Sequence, residues 1–160
     1  LGVYSKKIKK LADLKKGNSV SVPNDPTNEA RALRLLEANG VITIKSGALV
    51  TVADITKNPL GLKFHELDAA QLPRTLDDVT ASVINTNFAV DAGLVPTEDA
   101  LYLDTDNIQE VLDIYKNVVA ARAEDVDNEV YKKVVAAYQT EETKTLIAET
   151  TADTDIPAWD

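Results

Sequence analysis

The stretch from Ser19 to Arg31 restricts the fold most, because in it a strand runs directly into a capped helix. Ser19 to Val22 alternates polar and apolar residues, the period of a half-buried strand, and Pro23 ends it. Asp25 is placed to cap a helix, and Pro26 suits its first position. Ala30, Leu33, Leu36 and Ala38 mark the inner face, and Asn39-Gly40 closes the helix. Such a unit needs neighbours of the same kind to cover it. The remainder of the chain supplies them, so the prediction is an α/β fold with a mainly parallel sheet.

Other segments extend this alternation. Gly2 to Ser5 is a short β-type run. Ile8, Leu11 and Leu14 follow at helical spacing up to Gly17-Asn18. Val41 to Ile44 reads as a strand. Gly47 and Asn58-Pro59 are turn signals flanking a short helix. Leu62 to Leu67 alternates again, and Ala69 to Leu76 is predicted helical with a break at Pro73. Ala81 to Ile84 is an apolar run of the kind buried in a parallel sheet. Phe88 to Ala92 forms a short helix stopped by Gly93. Val118 to Ala121 reads as a strand ended by Arg122. From Asn128 the pattern is helical, through Val130, Val134, Ala137 and Tyr138, then Thr143, Leu146 and Ile147. Ile156-Pro157-Ala158-Trp159 is a terminal apolar clamp.

Composition removes several function classes. The net charge of −9 argues against nucleic acid as a partner, because phosphate contacts need clustered Lys and Arg. The local basic run of Lys6, Lys7, Lys9 and Lys10 reads as a solvated face. Cysteine is absent, which excludes disulfides and thiolate chemistry. The single histidine, His65, reads as a surface or edge residue without a second histidine for a zinc site. No nucleophile elbow and no Gly-rich phosphate loop occur, so no catalytic set, metal or cofactor is assigned. Asp77 and Asp78 are adjacent and do not face each other on a helix. No apolar run approaches the roughly 20 residues of a membrane span. The chain opens at Leu1-Gly2-Val3-Tyr4-Ser5, in what reads as mid-strand, so the expectation is a C-terminal portion of a longer chain.

Two polar clusters follow strand ends. In open α/β sheets, ligands bind outside the carboxyl ends of strands. Asn28 and Arg31 are three residues apart, on one face near the start of their helix. An Arg fork there suits a carboxylate; the same pattern also suits a plainly capped helix with a solvated arginine. Asn85-Thr86-Asn87 follows the apolar strand Ala81 to Ile84, and its amides suit either an amino-acid zwitterion or an ordinary turn.

Several motifs together resemble one family. Tyr4-Ser5-Lys6-Lys7-Ile8-Lys9, Val22-Pro23-Asn24-Asp25-Pro26-Thr27-Asn28-Glu29, Arg31-Ala32-Leu33, Ala70-Gln71-Leu72-Pro73-Arg74, Val83-Ile84-Asn85 and Asp91-Ala92-Gly93-Leu94 are similar to the NlpA/MetQ family of methionine-binding lipoproteins. They occur in the family's order across nearly the whole chain, and the Ile156 to Trp159 ending fits as well. Ala30 departs from a frequent family glycine.

The resemblance implies a type II periplasmic-binding-protein fold of two α/β lobes closing on a ligand. Residues 1–105 would be the second lobe including the first crossover strand, and 106–160 would return toward the first lobe. The first lobe, with its aromatic and histidine ligand residues, and the lipid-bearing cysteine would lie outside these residues. Arg31 would grip the α-carboxylate, Asn85 and Asn28 would bond the amino-acid head group, and Asn24 and Asn87 would stand beside them. Arg74 would order the Leu76-Asp77-Asp78 segment. The implied role is an extracytoplasmic, lipid-anchored solute-binding subunit that carries methionine or a related amino acid or peptide to an ABC importer permease. An effector-sensing domain of a transcription regulator shares the fold and is the alternative. A small α/β enzyme is a third reading, which the absent catalytic set opposes.

Overall fold

The computed structural model describes residues 1–105, 117–151 and 155–159. The chain divides into two compact units, Leu1–Ile108 and Gln109–Asp160.

The first unit is built on a five-stranded sheet in the order β5-β2-β6-β1-β7. Its strands are β1 (Gly2–Tyr4), β2 (Ser19–Pro23), β5 (Lys63–Leu67), β6 (Ala81–Ile84) and β7 (Ala100–Leu103). β2 lies parallel to both β5 and β6. β1 is inserted antiparallel between β6 and β7, pairing Gly2 with Ile84 on one side and with Leu103 on the other. The mainly parallel α/β sheet read from the sequence is therefore present, with one reversed strand.

Helix α1 (Pro26–Ala38) covers one face of the sheet. Its inward residues Ala30, Leu33 and Leu36 pack with Val3, Val20, Val22, Ala81 and Val83 in a single buried cluster. The other face is covered by a 310 helix (Ala69–Asp77) and by α2 (Thr86–Asp91), through Leu72, Leu76 and Ala89 against Tyr4 and Ile84. Central strands buried on both faces carry apolar side chains in both directions. Where β2 and β6 place serines inside, the hydroxyls satisfy one another. Ser21 Oγ donates to Ser82 Oγ at 2.7 Å and meets Thr75 Oγ1 at 2.8 Å. Gly2 has a packing reason to lack a side chain, since a Cβ there would lie 2.8 Å from Leu103 Cδ2 and 2.9 Å from Tyr4 Cε2.

Four sequence expectations are corrected. Ile8, Leu11 and Leu14 do pack on the core, but the chain there forms only one 310 turn, Leu11–Asp13. A serine turn sets its entry, with Ser5 Oγ accepting from Lys7 N and Ile8 N. The short helix expected between Gly47 and Asn58 is a 310 turn (Val52–Asp54) followed by β4 (Ile55–Lys57), which pairs with β3 (Thr43–Ile44). Pro73 does not interrupt its helix, because the tighter 310 geometry runs through it. Val118 to Ala121 forms no strand; it is irregular and exposed. Its apolar run has no partner ladder among the described residues, and composition alone does not create one.

Lys6 and Lys7 are also not simply solvated. Lys6 Nζ bonds the Asp77 carboxylate at 2.8 and 2.9 Å, and Lys7 Nζ donates to Asp78 O at 2.9 Å. These two lysines, not Arg74, tie down the Asp77-Asp78 segment; Arg74 is exposed. Neither β7 nor the short helix α3 (Pro96–Asp99) that precedes it is among the elements read from the sequence.

In the second unit, α4 (Glu129–Tyr138) starts at Asn128, whose side chain accepts from Val130 N at 3.0 Å. α5 (Glu141–Thr151) follows. The terminal clamp is real: the rings of Trp159 and Tyr138 lie 5.7 Å apart. Along α4, Val130, Tyr131, Val134 and Tyr138 are exposed.

Candidate functional site

The carboxyl edge of the sheet gathers most of the polar residues singled out in the sequence. Pro23 at the end of β2 is level with Leu67 at the end of β5, and Asn24 N donates to Leu67 O at 2.9 Å. Ser21 is level with Ser82, so β6 ends at Ile84 beside the end of β2. Gly2 is level with both Ile84 and Leu103, which brings Asp104 to the same edge. Asn24, Asn85 and Asp104 therefore leave the sheet together, where open α/β folds bind ligands.

The first turn of α1 is closed by its own cap. Asp25 accepts from Asn28 N at 3.0 Å, and Asn28 Nδ2 donates to both Asp25 carboxylate oxygens at 3.1 Å. The Asn28 amide nitrogen is thus committed to the cap. Asn24 and Asn87 are exposed.

One turn further on, Arg31 reaches across to the end of β7. Its Nε donates to Asp104 Oδ2 at 2.6 Å, and a terminal guanidinium nitrogen meets the same oxygen. Asp104 is also tied to the start of β1, with Asp104 N donating to Leu1 O at 3.0 Å. The sequence did not predict Asp104. Nothing local marks it, because its partner lies 73 residues away and the intervening sheet topology decides the meeting.

Asn85 occupies the N-cap position of α2, yet its side chain makes no capping bond. Its carbonyl oxygen is buried without a hydrogen-bond partner. A buried acceptor in that state costs free energy until a donor arrives. The same holds for the hydroxyl of Tyr4, whose pKa is pushed up to about 12 by burial and by the nearby carboxylates of Asp99 and Asp104.

A buried acid, Glu29, was also missed. Its carboxylate accepts from Val52 N at 2.8 Å, and burial raises its pKa, with the Glu66 and Asp25 carboxylates adding to the rise. Among the described residues no group of three or more His, Cys, Asp or Glu side chains could hold a metal ion. His65 is exposed on the edge strand β5. No helix among the described residues is long and apolar enough to cross a membrane.

The edge thus presents a guanidinium, a carboxylate and an unsatisfied amide oxygen, which suits recognition of a small zwitterion and offers no nucleophile–base pair. A family model described as NlpA lipoprotein matches residues 1–159. An outer membrane lipoprotein of Mannheimia haemolytica is 46% identical over 89% of this chain and 53% of its own length. The D-methionine-binding lipoprotein MetQ of Escherichia coli K12 is 45% identical over 87% of the chain and 51% of its own. A nutrient binding protein from Burkholderia cenocepacia, solved bound to methionine, superimposes with a TM-score of 0.86 at 48% identity. That match covers 99% of this chain and 66% of the other. The fold is accordingly that of the type II periplasmic binding proteins, and the chain spans about half the length of the two lipoproteins.

Proposed function

We propose a function on a settled premise: the chain belongs to the NlpA lipoprotein family. It is part of an extracytoplasmic solute-binding subunit that delivers methionine, or a close amino-acid or peptide relative, to the permease of an ABC importer. The names of its relatives supply the ligand class. The role is binding and release without chemistry, and membrane attachment is by a lipid anchor outside these residues.

The observation that carries this reading is the pairing, at one sheet edge, of Arg31 with an Asn85 oxygen that lacks a donor. Arg31 takes the ligand α-carboxylate, because a desolvated carboxylate needs a charged, hydrogen-bonded partner. Asn85 accepts from the ligand ammonium. Asn24 and Asn87 line the edge beside them, and Asn28 acts through the Asp25 cap that holds the first turn of α1.

Residues 1–105 form the second lobe with its crossover strand, and 106–160 return toward a first lobe contributed by further polypeptide. Two facts support this. The relatives are about twice as long as the stretch they share with this chain. The exposed stripe of Val130, Val134 and Tyr138 on α4 is a face that a packed domain would cover.

Calorimetry with L- and D-methionine tests the proposal on the full-length protein and on the 160 residues alone. The full-length protein should bind and the shorter chain should bind weakly or not at all. Equal affinities would sink the interlobe model, and failure of the full-length protein to bind either isomer would sink the ligand assignment.

A further inference from the structure

The loop between β1 and β2 carries charge that the ligand edge does not use. Residues 6–16 hold six lysines and one acid, in a chain whose formal net charge is −9. The loop lies against the core, with Ile8, Leu11 and Leu14 packed inward and all six lysines exposed. Lys6 is tied to the Asp77 carboxylate and Lys7 to the Asp78 carbonyl. The ammonium groups of Lys9, Lys10, Lys15 and Lys16 make no hydrogen bond or ion pair among the described residues. The single acid, Asp13, is half-buried and turned back on the chain, where it accepts from Lys9 N at 3.4 Å. Both ends of the loop are fastened at the amino edge of the sheet. Ser5 Oγ donates to Thr80 O, just before β6, and Gly17 N donates to Leu60 O, just before β5. Lys63, also exposed, opens β5 level with Ser19. Asn24, Asn85 and Asp104 leave the sheet at the opposite edge.

We infer that this lysine-rich amino edge is a docking face for anionic lipid headgroups, which holds the unit on a membrane surface and leaves its ligand edge clear. This rests on the reading of the chain as part of a lipid-anchored protein. The chemistry favours a lipid surface over a protein. Protein interfaces are depleted in lysine and are anchored by aromatic or large apolar side chains, and no large apolar side chain is exposed in this loop. A lysine is a mobile point charge without the fixed fork of arginine, so it suits a fluid layer of phosphates better than one shaped partner. Clustered lysines beside a membrane bind anionic lipid in this way. The acidic remainder of the chain does not cancel the effect, because at about 0.1 M salt exposed charges more than about 10 Å away are screened.

The test uses the full-length protein without acyl chains, and vesicles of phosphatidylcholine with and without phosphatidylglycerol. Co-sedimentation should show binding to the anionic vesicles only, and added salt should abolish it. Each lysine near such a surface contributes about fivefold in partitioning, so Lys9→Gln, Lys10→Gln, Lys15→Gln and Lys16→Gln combined should weaken binding by roughly 100-fold or more. The four ammonium groups have no partner to lose, so the unliganded melting temperature and the methionine affinity should match wild type. Should that variant misfold, Lys15→Gln with Lys16→Gln alone should cost roughly 20-fold. No binding of wild type to anionic vesicles, equal binding to both vesicle types, or wild-type binding by the lysine variants would overturn the inference. So would variants that keep vesicle binding and lose affinity for the detergent-solubilised permease, which marks an acidic protein partner. Methionine binding is read separately, and its absence in wild type would strike the proposed ligand rather than the vesicle result.

Discussion

Asn85→Ala carries an unusual expected sign. Replacing an N-cap asparagine by alanine ordinarily costs about 0.5–2 kcal/mol, because a helix N–H loses its acceptor. At α2 no such bond exists to lose. The substitution also deletes a buried oxygen that lacks a partner, and such a group costs about 1–3 kcal/mol while it stays unpaired. The unliganded protein should therefore be unchanged or more stable, with a melting temperature higher by up to several degrees at ~2–4 °C per kcal/mol. Ligand binding should move the other way. Losing a hydrogen bond to a charged ammonium removes about 1.5–3 kcal/mol, or roughly a 10- to 140-fold weaker Kd. Thermal melts of the full-length protein, with and without saturating methionine, read both effects, since ligand raises the melting temperature by mass action. A lower unliganded melting temperature with an intact ligand response would refute the reasoning. It would mean that Asn85 caps its helix in solution and serves as an ordinary turn residue.

Two further outcomes follow from the packing. Glu29→Gln keeps an acceptor for Val52 N and removes a titrating group whose folded pKa is raised above the ordinary 4.5. A raised folded pKa gives stability that is full below the ordinary 4.5 and lost as pH rises from there through the folded value, so urea midpoints of wild type and variant should diverge across that window and stay apart by a constant amount above it, with the variant favoured; parallel pH profiles would show that Glu29 does not titrate in the fold. Leu33→Ala, in the fully buried face of α1, should cost ~2–5 kcal/mol by chemical denaturation, whereas a cost under about 1 kcal/mol would mean that α1 does not pack on the sheet as described.

Much of the site scaffold was legible because its determinants are local. Pro23, Asp25, Pro26 and Gly40 mark the end of β2 and both ends of α1, and the structure places the helix at Pro26–Ala38. Ala81 to Ile84 declared a buried strand by composition, and Asn85 falls at its end. What was not legible depends on distant partners. The spacing of Ile8, Leu11 and Leu14 records burial, and a single 310 turn satisfies it as well as a helix does. Val118 to Ala121 has strand composition without a ladder to join. The Asn28 amide nitrogen is spent on Asp25, a competition that spacing does not reveal. The Arg31 partner, Asp104, follows from β7 lying beside β1, which no local pattern encodes.

The reversed strand β1 has a consequence for the order of assembly. β2, α1, β5 and β6 follow one another along the chain, and their pairings close comparatively short loops. β1 must instead find Ile84 on one flank and Leu103 on the other, so both of its ladders carry the entropy of long-range closure. Until β7 is in place, one edge of β1 is an open template for foreign strands. The most N-terminal strand of the sheet is thus its keystone, fitted after the courses on either side. Seating Gly2–Tyr4 closes the longest loops in this sheet, and it carries into place the sheet edge to which Asp104 and Arg31 are tied.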